Sequence, residues 1–426
     1  MGSRASSFEE VVPLVELCRA GKLFDVQDWI QSGQPVNPPL GHYRGSRKRV
    51  PMEYAINAGF HSMVKVLLEG GAEVGPIVGY CPMRLALEKR RLDIVELLVE
   101  HGYSPDAIDI PCVLATWDPA IMEFFVAAGC DFEKGNPIAW ALCNKIRTAL
   151  PLTKKYWNKF PSFPEQANIA LRHHCQKGDA KWVSLLLWAG ADPLAPGEAD
   201  PDAELDVEDG GLSALGFAVL WQNYELLDIK AMKACLSRPE VASILSYFSG
   251  EKATPHLIEV LRRGVNPNDQ ENGGCSAIQS AVDSFYRYGQ SRYRFDFLSR
   301  ERSDNGLDSD RSREFMKHIH LLMAAGGKWK PSPDDIKSAR KSLTKMIPEY
   351  TVEFIDLATR YRAASRADLE ELIRTPTIKK LVGKHRRRIE ERLDSLDADL
   401  PAGSECQAAP TASSKNKKDD TATIKA

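Results

Sequence analysis

The chain has 426 residues, of which 43% are hydrophobic and 27% charged, and its formal net charge is −2 at pH 7. Such a balance excludes a general binder of polyanions, so any contact with nucleic acid or a membrane surface has to be local. The length is too great for one compact core, which favours a repeat array whose units contact only their neighbours.

Nine cysteines are scattered along the chain without a C-x-x-C pair, which is typical of free thiols in a reducing compartment. No apolar run is long enough to span a bilayer, and the first residues lack the layout of a secretion signal. We therefore expect an intracellular protein, cytoplasmic by default. Residues 1–6 fit the loose pattern for attaching myristate to Gly2, but Glu9 and Glu10 follow instead of lysines, and we expect chance agreement.

The chain begins with a predicted flexible N-terminus, residues 1–10, followed by a helical pair with Leu14 and Val26 facing inward. A loop near residues 38–49 is too long for a simple turn and contains one aromatic and four basic candidate contacts: Tyr43, Arg44, Arg47, Lys48 and Arg49. Exposed cations of this kind suit an acidic partner or a phosphate chain. A solvated loop is the alternative interpretation.

The stretch after this loop introduces a pattern that recurs along the chain. Pro51 suits the first turn of a helix, and Gly59 and Gly71, twelve residues apart, each suit the left-handed position beyond a helix end. The same spacing joins Gly21 to Gly33, Arg90 to Gly102, Trp117 to Gly129, Gly178 to Gly190, Lys252 to Gly264 and Glu314 to Gly326. Each frame predicts one helical hairpin, which needs neighbours to bury its apolar face.

This pattern resembles the ankyrin repeat, over about nine irregular units in residues 11–329. The resemblance implies an all-α solenoid of helix-turn-helix units with hairpin-like fingers, and the segments after Gly190 and Gly264 are similar to those leading into the fingers. The histidine by which the family ties adjacent repeats is absent here. Its place is taken by Glu53, Arg84, Val113, Ala139, Gly216 and Gln279, so the resemblance implies irregular stacking.

Insertions are predicted near residues 38–49, 150–165, 195–210 and 286–313. The third carries seven acidic residues between positions 198 and 209 but lacks the glycine and closing glutamate of a calcium loop. The fourth alternates cations with aromatic rings, a pattern that stacks on bases or on charged groups of a protein partner. Its candidate contacts are Tyr286, Arg287, Tyr288, Arg292, Tyr293 and Arg294. An inserted surface loop is again the alternative.

Beyond Trp329 the frame stops. We expect residues 330–398 to form a helical cap over the last repeat and residues 399–426 to be a disordered tail. A basic cluster lies in the final predicted helix: Lys384, Arg386, Arg387 and Arg388. It resembles a nuclear-localisation patch, although the acidic residues that follow are equally typical of an ordinary helix surface.

Residues that carry chemistry are sparse. His173, His174 and Cys175 are adjacent, so on a helix they point in different directions, and no distant set completes a metal site. We expect no catalysis, no metal and no cofactor. The preferred hypothesis is a non-catalytic scaffold that recognises a partner protein of unknown identity on its concave face and fingers. The competing hypothesis is nucleic-acid association through residues 44–49 and 286–294.

Overall fold

The computed structural model describes residues 4–39, 50–75, 80–197, 211–248, 252–269, 277–279, 281–282, 309–343, 348–374, 378–380 and 383–397. Regular structure in these ranges is helical, with one isolated parallel β-bridge between Arg4 and Asn37. The predicted all-α repeat fold is confirmed. The loop at 40–49, the acidic stretch 198–210, the aromatic insertion at 286–294 and the tail from 398 lie outside the described residues.

The first twelve helices form six consecutive pairs: α1 (Val12–Arg19) and α2 (Leu23–Gln31), α3 (Pro51–Ala58) and α4 (His61–Glu69), α5 (Pro82–Glu88) and α6 (Leu92–Glu100), α7 (Ile110–Leu114) and α8 (Pro119–Ala127), α9 (Pro137–Cys143) and α10 (Ala149–Lys155), α11 (Phe163–Gln176) and α12 (Ala180–Ala189). In a seventh unit, α13 (Ala214–Leu220) precedes a 3₁₀ segment (Tyr224–Asp228) and α14 (Lys230–Cys235). We number these pairs as units 1 to 7.

The remaining elements are a 3₁₀ segment (Pro239–Tyr247), α15 (Ala253–Arg262), α16 (Ser309–Ala324), α17 (Pro333–Leu343), α18 (Pro348–Arg360), α19 (Arg366–Ile373) and α20 (Arg386–Asp397). Shorter 3₁₀ turns occur at Phe8–Val11, Pro105–Ala107 and Gly383–His385. Residues 277–279 and 281–282 are also helical.

Two rows of helices run along the molecule. In the inner row each odd-numbered helix from α1 to α13 packs on the next, and α13 then packs on the 3₁₀ segment Pro239–Tyr247. In the outer row α2 packs on α4 and α4 on α6, while α8 packs on α10 and α10 on α12. Because the helices of each unit contact each other and the inner row continues from unit to unit, the array is a solenoid.

The backbone confirms the repeating frame at its turns. Gly21, Gly59 and Gly178 begin their frames with φ values of 70°, 70° and 69°. Arg90 and Trp117 adopt the same left-handed conformation with φ values of 54° and 58°. All seven predicted stop glycines also have positive φ: Gly33, Gly71, Gly102, Gly129, Gly190, Gly264 and Gly326. The chain therefore leaves both helices of a unit through left-handed residues.

The structure adds two turns that the sequence pattern did not predict. Lys145 and Gln222 are left-handed, with φ values of 62° and 59°, and they separate the two helices of units 5 and 7. As a result α10, which begins at Ala149, is the outer helix of unit 5 rather than part of an insertion. Two residues predicted to begin a frame are not left-handed turns. Lys252 has φ −66°, and Glu314 lies inside the long helix α16.

One continuous apolar core fills the space between the two rows. In the most regular units it includes Leu67 of α4, Leu98 of α6 and Phe125 of α8, all fully buried. Each of these side chains lies on the face of its outer helix that meets the inner row. Such a core grows by one layer per unit, because a single helical hairpin cannot bury this face alone.

Polar side chains tie neighbouring units together. Asn37 donates to the Gly71 carbonyl and accepts from Glu73 N–H, both at 2.9 Å. Asn268 repeats this arrangement much further along the chain, donating to the Gly326 carbonyl and accepting from Lys328 N–H at 2.9 and 2.7 Å. Each asparagine occupies the fourth position after a stop glycine. These bonds connect the exit of one unit to the exit of the next.

The two ends of the described array are also packed. Ala5, in the segment predicted to be flexible, is buried and donates its N–H to the Asn37 carbonyl at 3.0 Å. At the other end Trp329 is fully buried; its indole N–H donates to Gln279, and its backbone N–H donates to the Ala363 carbonyl at 2.5 Å. Beyond it the stack continues, with α16 on α18, α18 on α20 and α17 on α19.

Candidate interaction surface

The inner row has one open side, because its helices meet their own row along the stack and the outer row behind them. Trp140 of α9 lies on this open side, and 41% of its surface is exposed. Unit 5 holds the ring there because α9 starts at Pro137 and ends before the left-handed Lys145. Its neighbours along the chain, Ala139 and Ala141, are buried.

Four other side chains occupy the same place in their units as Trp140, five residues before the left-handed turn. They are half-buried, and together with Trp140 they span units 2 to 6: Tyr54, Leu85, Cys112 and His173. We call these five residues the inner stripe. It contains two aromatic rings, an imidazole, a leucine and a thiol, and therefore presents mainly apolar surface on the open side of five consecutive units.

The inner stripe is uncharged near neutral pH. Burial, with a smaller contribution from the positive charge of Lys177, lowers the pKa of His173 to about 4. Burial likewise raises the pKa of the Cys112 thiol. The imidazole is therefore neutral and the thiol protonated, so this surface suits apolar groups better than ions.

An ion pair borders the stripe where units 5 and 6 meet. Lys145 Nζ lies 2.5 Å from Asp179 Oδ2, and Asp179 also caps α12 by accepting from Trp182 N–H at 3.1 Å. Burial alone would raise the pKa of Asp179, but the hydrogen bonds from Lys145 and Trp182 leave it lower than usual. The carboxylate therefore stays ionised and holds the two turns together.

The adjacent histidine has a packing role. His174 is fully buried, its Nε2 lies 3.0 Å from the Leu142 carbonyl of α9, and its ring stacks on Trp182. Burial lowers its pKa even though the hydrogen bond to Leu142 acts in the opposite direction. Within the described ranges no group of three or more His, Cys, Asp or Glu side chains is arranged to hold a metal ion.

The predicted contact residues fall into two groups. Tyr43, Arg44, Arg47, Lys48 and Arg49 lie outside the described residues, as do Tyr286, Arg287, Tyr288, Arg292, Tyr293 and Arg294. Their roles stay predictions. The structure does describe the C-terminal basic cluster and places it at the start of α20, remote in sequence from the inner stripe.

Three arginines of that cluster already have acidic partners. Arg386 Nε lies 2.7 Å from Glu390, and Arg387 Nε lies 3.2 Å from Glu391, one helical turn onward in both cases. Arg388 pairs with the buried Asp356 of α18. Lys384 precedes the helix in the 3₁₀ turn Gly383–His385. At least one arginine therefore helps to attach α20 to the stack.

No helix in the described part of the chain is both long and apolar enough to cross a membrane. The seven cysteines found there are free thiols: Cys18, Cys81, Cys112, Cys130, Cys143, Cys175 and Cys235. Burial raises the pKa of Cys18 and of Cys175 to about 12. These two thiols stay protonated at neutral pH and behave as small apolar side chains.

The paired helices, their two rows and the left-handed residues at both ends of each frame together identify the repeat. The fold is an all-α solenoid of the ankyrin-repeat type. No protein-family model matches the chain, and no curated protein matches its sequence. Among solved structures it is similar to the ankyrin repeat domain of human ASB11, with 19% identity over 62% of this chain and 90% of that one, at a TM-score of 0.26.

Sequence reasoning did not single out the inner stripe. Its members share no residue type, and Trp140 stands out from the sequence only as part of a helix start. The usable signal is positional, since each member lies five residues before a left-handed turn. Trp140 could be placed in this set only if Lys145 was recognised as a left-handed turn, and a lysine in the sequence does not indicate such a turn.

Proposed function

We propose that the chain is a non-catalytic scaffold that binds a partner protein across the open side of its inner row. The observation that supports this proposal best is the exposure of Trp140 within the inner stripe. Tryptophan is enriched among the residues that contribute most to protein interfaces, where it buries a large area at a low entropic cost. A partner covering the stripe contacts five units at once.

At the inner stripe and at the C-terminal basic cluster, charge favours a protein partner over nucleic acid. The inner stripe is neutral, and Arg386, Arg387 and Arg388 have carboxylate partners within the molecule. Phosphate recognition requires cations that are free to replace counterions. The raised pKa values of the buried thiols also favour a binding role, since a catalytic cysteine needs a thiolate. Free thiols suit a reducing, intracellular compartment, and a cytoplasmic location is part of this proposal.

The test compares two tryptophans of similar exposure in different rows. Trp140→Ala removes the largest ring of the inner stripe, whereas Trp188→Ala removes an exposed ring of α12 in the outer row. Each variant and the wild-type chain are cross-linked in cell extract, and the captured proteins are quantified by mass spectrometry. We expect at least about tenfold less capture of the specific partner by Trp140→Ala and wild-type capture by Trp188→Ala.

Unchanged capture by Trp140→Ala, or an equal loss with both variants, would contradict the proposal. Thermal unfolding of both variants checks that the array stays folded. A second arm tests the nucleic-acid alternative: tight binding of a single-stranded oligonucleotide at physiological salt, with steep weakening as salt rises, would favour that alternative.

A further inference from the structure

A second surface runs along the turns that join the inner and outer helices of each unit. These turns contact one another directly. A Cβ on Gly21 would lie 3.4 Å from the Phe60 ring, which places the turn of unit 2 on that of unit 1. Arg91 donates to the Gly59 carbonyl at 2.7 Å, and Asn223 donates to the Cys175 carbonyl at 2.8 Å. We call the surface formed by the turns of units 1 to 7 the turn edge.

Large aromatic side chains are exposed along the turn edge. Phe24 of unit 1 is 77% exposed, Phe60 of unit 2 is 41%, Trp117 of unit 4 is 42% and Trp221 of unit 7 is 47%. Each lies within three residues of the left-handed residue of its own turn. Single exposed aromatics are ordinary, but these four all lie at or near the turns, on the same side of the array.

Trp117 differs from the other exposed aromatics of the turn edge in its backbone conformation. It is itself left-handed, at a position where units 1, 2 and 6 have glycine. A non-glycine residue is strained in this conformation. The exposed part of the Trp117 side chain is available to a partner.

The charges of the turn edge favour an acidic partner. Lys89, Arg90 and Lys177 are exposed there, and no ion pair engages them within the described ranges. Two neighbouring carboxylates are engaged: Arg91 binds Asp93 at 2.6 and 2.8 Å, and Asp118 caps α8 by accepting from Ala120 N–H at 2.9 Å. Glu225, near Trp221, is exposed. Between units 3 and 6 the available charge of the turn edge is therefore mainly positive.

We propose that the turn edge binds an extended acidic segment of a partner protein, with apolar side chains of that segment resting on Phe60, Trp117 and Trp221. Stacked helices are about 10 Å apart, so Phe60 and Trp117 are separated by about 20 Å, and Trp117 and Trp221 by about 30 Å. An extended chain covers about 3.3 Å per residue, which sets its apolar anchors about six and then nine residues apart. The inference rests on the proposed protein-binding role but assigns it a second surface.

The probe is a random copolymer of glutamate and tyrosine, which supplies negative charge together with aromatic anchors. Polyglutamate supplies the charge alone, and a lysine–tyrosine copolymer supplies the anchors with the opposite charge. Binding to the immobilised full chain is measured by interferometry at physiological salt. We expect the glutamate–tyrosine copolymer to bind at least about tenfold more tightly than polyglutamate, and the lysine–tyrosine copolymer not to bind.

The variants locate the site. Trp117→Gly keeps the left-handed turn, because glycine adopts it at the same place in units 1, 2 and 6. We expect this variant to bind the glutamate–tyrosine copolymer at least about tenfold more weakly, and Lys89→Glu combined with Lys177→Glu to weaken it similarly. Trp140→Ala and Trp188→Ala are matched controls that should bind as the wild type does.

Polyglutamate binding as tightly as the copolymer, or Trp140→Ala losing as much binding as Trp117→Gly, overturns the proposal. The two surfaces can fail separately. If Trp140→Ala loses its partner in extract while Trp117→Gly binds the copolymer normally, the scaffold function is supported and the turn edge is not its acidic-segment site. Thermal unfolding of Trp117→Gly confirms that any loss of binding occurs in a folded chain.

Discussion

The side chain of Gln166 links two neighbouring units through several hydrogen bonds. It is fully buried in α11, accepts from the N–H groups of Ile138 and Ala139 at 2.8 and 3.2 Å, and donates to the Phe132 carbonyl at 3.0 Å. The helix α9 has no side-chain cap of its own at Asn136. Gln166 therefore caps α9 from the following unit.

Replacing Gln166 by alanine should be costly. The change leaves buried N–H and carbonyl groups without partners, and we expect the free energy of unfolding to fall by about 2–4 kcal/mol. Chemical denaturation measures it, and Gln31→Ala, at an exposed position of α2, is the control with little expected effect. A loss below about 0.5 kcal/mol for Gln166→Ala would mean that its hydrogen bonds contribute little.

A buried histidine makes stability depend on pH. His318 of α16 lies beside Thr254, with Nε2 and the threonine hydroxyl oxygen 3.3 Å apart. Burial, together with Lys317, lowers its pKa from 6.5 to about 4. The unfolded chain therefore takes up this proton before the folded one does. The stabilisation is complete above pH 6.5 and is lost as the pH falls towards 4.

We expect His318→Gln to flatten the pH dependence of stability. Between pH 6.5 and 5 the wild-type slope should exceed that of the variant by roughly 1 kcal/mol per pH unit. Glutamine retains groups able to form a hydrogen bond with Thr254, so the comparison isolates the effect of proton uptake by the imidazole. Denaturation curves at several pH values give the two slopes, and identical slopes would contradict burial of a neutral imidazole.

At the scale of the element, the residue type at the turn between two helices determines whether that turn can be recognised from the sequence. Gly21, Gly59 and Gly178 identify their turns by residue type, and the frames built on them were predictable. Lys145 and Gln222 occupy equivalent turns, but a left-handed lysine or glutamine is indistinguishable in sequence from a helical one. A left-handed conformation costs a non-glycine residue about 1–2 kcal/mol, which is small enough for the surrounding packing to impose it. This explains why α10 was predicted to belong to an insertion.

The same reasoning predicts opposite effects at two adjacent positions. Arg90 is left-handed and exposed, so Arg90→Gly should stabilise the chain by roughly 0.5–1 kcal/mol, as relief of strain exceeds the added freedom of the unfolded state. Lys89 precedes it with an ordinary φ of −83°, so Lys89→Gly should destabilise by a similar amount. Thermal unfolding measures both, and the same sign for the two variants would contradict the explanation.

At the scale of the whole molecule, the sequence predicted the repeat but not its surfaces. Regular spacing gave the helical pairs and the stop glycines because both follow from local backbone geometry. The inner stripe and the turn edge depend on which side chains point away from neighbouring units, and that is set by stacking. Tyr54 and Trp140, for example, share a surface although 86 residues separate them.

The central claim is that the repeating frames lie side by side as successive units of one stack. Spin labels at Lys65, Glu96 and Ser184 test it directly, because all three are exposed and lie six residues after the left-handed turns of units 2, 3 and 6. Pulsed electron resonance on doubly labelled chains should give about 10 Å between labels at 65 and 96, about 30 Å between 96 and 184, and about 40 Å between 65 and 184. A distance between 65 and 184 no longer than that between 96 and 184 would contradict the stack.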